Sequence, residues 1–129
     1  MLAVARYLDI HSELIPRIAT GFCAGMARTG RTCGAVSGGV MAIGLALGRA
    51  SPQASNDPCY PAVRAFLDGF NSRFGTINCL ELTGVHLGTP EGQAAFWAGD
   101  QIEHCTEYVT EATRLVVHLL EQNKSSLAR

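Results

Sequence analysis

Apolar positions recur along most of this chain at intervals of three and four residues, the spacing of a helix that buries one face. The final stretch is the plainest case. Ile102, Cys105, Val109, Ala112, Val116 and Leu119 follow one seam, which predicts a long helix with Cys105 turned inward. Val63, Phe66, Phe70 and Phe74 repeat at the same spacing between Pro61, suited to a first helical turn, and Gly75, which ends the element. Near the start, Leu2, Val4, Ala5, Leu8 and Leu14 predict a short amphipathic helix over residues 2–14, with Pro16 starting or kinking the next. A second short helix is expected from Arg17 to Met26, followed by a turn at Arg28-Thr29-Gly30. Thr32 is the N-cap candidate for an apolar helix that Gly48 closes.

Residues 50–58, ASPQASNDP, hold two prolines among small polar residues and read as a connecting loop. Asn78 is placed to cap a short turn holding Cys79. The glycine-rich stretch TGVHLGTPEG is expected to be loop, with Thr89-Pro90-Glu91 opening a brief helix through Trp97. No segment alternates with the period of a strand, and no internal repeat occurs. The expected class is therefore all-α: one domain over residues 1–129, a compact bundle of about five or six helices around a central glycine-rich apolar helix.

Composition narrows the functional field. Hydrophobic residues make up 47% of the 129 and charged ones 16%, with a formal net charge of -1, so a folded interior is expected and a nucleic-acid footprint is not. Nine of the ten basic residues are arginines scattered along the chain, which argues against a polybasic patch. The apolar run from Cys33 to Gly48 has only about 16 residues where a membrane span needs roughly 20. With glycines at 34, 38, 39, 44 and 48, it reads instead as a closely packed buried helix. The five cysteines form no CxxC, and an odd number cannot all pair within one chain. Arg6 and Asp9 interrupt the opening stretch, which does not read as a signal peptide, so a reducing, cytoplasmic location is expected.

Cys33 stands at a helix start directly behind Arg28 and Arg31, surroundings that favour a thiolate. Three cysteines brought together from separate helices would suit a soft metal or an iron-sulfur cluster. His86, on a glycine-flanked loop, is the better candidate for a fourth ligand. His104 diverges from its neighbour Cys105 by about 100 degrees on a helix. The amides from Gly30 to Gly34, with Arg28 and Arg31, also offer a cradle for a phosphate or carboxylate. The simplest reading of the same residues makes the cysteines small buried hydrophobes and the glycines aids to packing.

The hexapeptide Cys33-Gly34-Ala35-Val36-Ser37-Gly38 is a CGAxxG sequence and resembles the hallmark of the C-GCAxxG-C-C family of redox-active proteins. The likeness continues through residues 18–48, through Phe74-Gly75 to Asn78-Cys79 and Glu81-Leu82, and to Cys105 at the head of the last helix. It implies a small helical protein of bacteria or archaea with redox chemistry or a metal centre, using Cys33, Cys79 and Cys105. The family's early cysteine has no counterpart: either the N-terminus is truncated or this member lacks that thiol. Cys23 and Cys59 are extras to the pattern.

The expected function is thiol-based redox chemistry, with Cys33 the reactive thiol, Cys79 its partner and Cys105 a third sulfur. Its partner would be a redox protein or a small molecule. The alternatives are an anion- or small-molecule-binding module on Arg28 and Arg31, and a helical homo-oligomer with inert cysteines.

Overall fold

The computed structural model describes residues 1–124. Among these it contains seven right-handed α-helices: α1 (Leu2–Tyr7), α2 (Leu14–Ala19), α3 (Gly34–Leu47), α4 (Cys59–Phe74), α5 (Cys79–Thr83), α6 (Pro90–Ala98) and α7 (Gln101–Gln122). The architecture is an all-α bundle, with α3, α4 and α7 packed pairwise against one another. No helix among the described residues is long and apolar enough to cross a membrane.

The core follows from the apolar stripes of those three helices. Val36, Ala42 and Ile43 of α3, Phe66 and Phe70 of α4, and Val116 and Leu120 of α7 are all buried in one cluster, which α1 joins through Val4. Burial of side chains this size is worth roughly 1.5–3 kcal/mol each. Aromatic rings organise the end nearest the cysteines: Phe74 stands edge-on to Tyr108 with centroids 4.8 Å apart and lies 4.8 Å from Phe70. The α3–α4 contact is close because Gly39 has no side chain; a Cβ there would overlap the ring of buried Phe66. Central apolar α3 thus sits where its glycines let neighbours approach.

The helix ends confirm much of the expected punctuation. Asn78 Oδ1 accepts a hydrogen bond from the Glu81 amide at 3.2 Å, and Thr89 Oγ1 accepts one from the Gly92 amide at 3.0 Å, capping α5 and α6. Gly48 and Gly75 terminate α3 and α4, and residues 50–58 connect them without helix.

Four local expectations are corrected. Residues 2–14 do not form one helix: α1 stops at Tyr7, Asp9 takes a left-handed φ of 57°, and α2 begins only at Leu14. The stretch 17–26 is not one helix either. After α2 the chain tightens into a 3₁₀ turn, Thr20–Phe22, and then into a turn at Cys23–Arg28 that coils the opposite way, with positive φ at every residue from Ala24 to Arg28. Each non-glycine residue in that conformation costs about 1–2 kcal/mol. Hydrogen bonds to the turn's carbonyls from the Arg31 amide and the Thr29 hydroxyl offset part of this.

Thr32 is not the cap of α3; Cys33 occupies that position, because Thr32 is engaged in an antiparallel bridge with Asn78. Finally, the buried seam of α7 runs through Tyr108, Ala112, Val116 and Leu120, leaving Ile102 46% and Val109 54% exposed. The rotation arises because Tyr108 inserts between α4 and α5, with its hydroxyl donating to the Leu82 carbonyl at 3.0 Å.

Candidate thiol site

Two helix starts are tied together by backbone. The Cys33 amide donates to the Ile77 carbonyl at 2.8 Å and the Cys79 amide to the Arg31 carbonyl at 2.7 Å, flanking the Thr32–Asn78 bridge. Cys33 leads into α3 and Cys79 opens α5, so both thiols leave this small ladder at helix N-termini. They are diagonal neighbours on the ladder face opposite Thr32 and Asn78. In an ideal ladder such neighbours stand about 7–8 Å apart, just outside the usual disulfide limit of about 6.8 Å between alpha carbons. Joining them takes a shift of roughly an ångström on that geometry.

The left-handed turn presses on the same point. A Cβ at Gly25, whose φ is +68°, would lie 2.5 Å from Cys79 Cβ and 3.0 Å from its sulfur. The turn therefore seats Cys79 from one side while Thr83 Oγ1 donates to the Cys79 carbonyl at 2.8 Å from the other. Cys105 arrives from the first turns of α7, and the three cysteines line one cavity of about 800 Å³. Cys79 is buried, and Cys33 and Cys105 are half-buried.

Burial disfavours the thiolate at all three cysteines. Burial pushes Cys33 up; the Ala35 and Val36 amides oppose it weakly, with no capping hydrogen bond to the sulfur. The expected activation of Cys33 by the helix start and by Arg28 and Arg31 is thus corrected: desolvation outweighs the amides, and both guanidinium groups are exposed. Cys79 is raised by burial first and then by the neighbouring Cys33 and Cys105, with Thr83 acting in the opposite sense. Cys105 is raised by burial and by Cys33. Tyr108 is raised by burial, then by Cys105, Cys33, Glu107 and Cys79, which marks its phenol as a fourth member of the cluster. Tyr108 was absent from the expected site, although its place three residues after Cys105 puts both on one helix face.

The remaining candidates lie apart from these sulfurs. His86 is exposed on its loop, its Nδ1 accepting from the Gly88 amide at 3.1 Å, and it does not line the cavity. Among the described residues no three His, Cys, Asp or Glu side chains are arranged to hold a metal ion. The sulfurs of Cys33, Cys79 and Cys105 therefore do not stand as a preformed ligand set for a soft metal or an iron-sulfur cluster. Of the five Gly30–Gly34 amides, those of Arg31 and Cys33 are engaged, by the Gly25 and Ile77 carbonyls, and so do not face an anion. Arg28 borders the cavity. Cys23 is exposed and borders it too, while Cys59 lies half-buried at the start of α4.

The all-α bundle thus gathers cysteines from three distant segments beside a common cavity. Residues 1–119 match the family described as "Putative redox-active protein (C_GCAxxG_C_C)", and the chain belongs to that family. No curated protein and no solved structure matches it.

Proposed function

We propose that the protein carries out thiol–disulfide chemistry, with Cys33 and Cys79 as the pair that joins and Cys105 as the resolving thiol. The observation that supports this most strongly is the shared cavity: cysteines separated by 45 and 25 intervening residues line one space together. Oxidation would break two S–H bonds, form one S–S bond and release two electrons and two protons. The Thr32–Asn78 bridge favours Cys33 and Cys79 as the first pair, since diagonal neighbours across an ideal ladder stand about 7–8 Å apart, near the disulfide limit of about 6.8 Å. Cys105 lines the same cavity and, on losing its proton, would attack the mixed disulfide that Cys33 or Cys79 forms with a partner.

The test is oxidation of the fully reduced protein with diamide, followed by thiol counting and peptide mapping. The reading expects two thiols lost and a Cys33–Cys79 link, diverted to Cys105 when Cys79 is replaced by Ser. Absence of any link among these three, or oxidation confined to Cys23 and Cys59, would overturn it.

A further inference from the structure

The cavity beside the sulfurs has the size and the chemistry of a ligand site. At about 800 Å³ it falls within the usual range for small-molecule pockets, about 300–1,000 Å³. Its walls include Leu87, Phe96, Trp97, Val109 and Val116, and Arg28 is the sole charged side chain among the described residues that line it. Phe96 and Trp97 stand edge-to-face, centroids 5.4 Å apart, and Trp97 is 71% exposed, an aromatic surface left without a partner at the wall.

The buried, apolar side of this half-open cavity, where Cys79 sits, penalises a step that leaves a charge behind. Burial favours the neutral form of the thiols that line it, and a disulfide is neutral as well. The reagent that interconverts them without creating charge must accept electrons and protons together. The exposed indole of Trp97 further offers a flat ring a face on which to stack.

We infer that the cavity takes a neutral, apolar two-electron acceptor of the quinone class, which oxidises the thiols facing it. This inference rests on the thiol–disulfide reading above and names its small-molecule partner. The step balances: the S–H bonds of Cys33 and Cys79 break, one S–S bond forms, and two electrons and two protons pass to the quinone oxygens to give the hydroquinone.

Duroquinone is the probe, because its four methyl groups block addition of a thiol to the ring. Anaerobic mixing with reduced protein should yield one hydroquinone per disulfide, and peptide mapping should place that disulfide among Cys33, Cys79 and Cys105. With oxidised protein, duroquinone should quench the fluorescence of Trp97, the single tryptophan, saturably. Val109→Asp, which puts a charge on the wall at a half-exposed position, should raise the half-saturating concentration at least tenfold. Anthraquinone-2,6-disulfonate, flat but doubly charged, should bind at least tenfold more weakly than duroquinone, a comparison that requires no variant.

Linear, unsaturable quenching with no quinone reduction, while diamide still forms the disulfide, would overturn this inference and leave the thiol reading intact. Equal binding of the charged and neutral quinones would also overturn it. Failure of both diamide and duroquinone to link any of the three cysteines would remove both.

Discussion

Replacing Gly25 with Ala tests the seating of Cys79 with a single methyl group. Two costs are expected, and they can be separated. An alanine at φ +68° carries the left-handed penalty of about 1–2 kcal/mol. Its Cβ would also stand 2.5 Å from Cys79 Cβ, an atom fixed by backbone rather than a flexible tip, and such overpacking costs typically about 1–3 kcal/mol. The sum, about 2–5 kcal/mol, lowers the urea midpoint by roughly 1–2.5 M at an m value of about 2 kcal/mol/M. Gly84→Ala supplies the control: its φ is +70°, but nothing lies within 4 Å of the added methyl, so only the first cost applies. The difference between the two variants measures the contact with Cys79. In Gly25→Ala, alkylation of Cys79 in the native protein should also quicken, as its seat is displaced. Equal urea midpoints for the two variants would refute the argument that the left-handed turn closes on Cys79.

Three further outcomes follow from the geometry. Because burial raises the thiols of Cys33, Cys79 and Cys105, the folded protein keeps protons that the unfolded chain releases above about pH 8.5. Stability is then fully present below that pH and declines as pH rises through the folded pKa values; urea titrations from pH 7 to 10 should show this slope, flattened in Cys79→Ser. Tyr108→Phe removes the hydroxyl that donates to the Leu82 carbonyl and should cost about 1 kcal/mol in chemical denaturation. Phe70→Ala, which empties a fully buried ring site between Phe66, Phe74 and Tyr108, should cost about 3–5 kcal/mol by the same assay.

What was legible in the sequence was mostly local. The spacing of Phe66 and Phe70, the caps at Asn78 and Thr89 and the stop at Gly75 all act within a turn or two of helix, and each appears where the residue types place it. The resemblance around Cys33, Cys79 and Cys105 named the cysteines, yet what joins them is a bridge between residues 46 positions apart, and no short-range pattern carries that. The reversed coil at Ala24–Arg28 was equally hidden, because only one of its five residues is glycine and long-range contacts impose the rest. The electrostatic reading of Cys33 failed for a related reason. Charges flanking a residue in sequence say little about its desolvation, and here desolvation dominates.

The bridge between Thr32 and Asn78 also makes the two helices between them a hairpin pinned at its base. Helix α3 leads away from that base for 14 residues, about 21 Å, before the loop at 50–58 turns the chain back along α4. The loop is thus the point of the hairpin most remote from Cys33 and Cys79, and its length is decoupled from their pairing. Relatives with longer or shorter segments there can keep the same cluster of sulfurs, so a search by fixed cysteine spacing would overlook them. The same loop offers an attachment point for a surface tether or an inserted label that leaves the bridged end undisturbed.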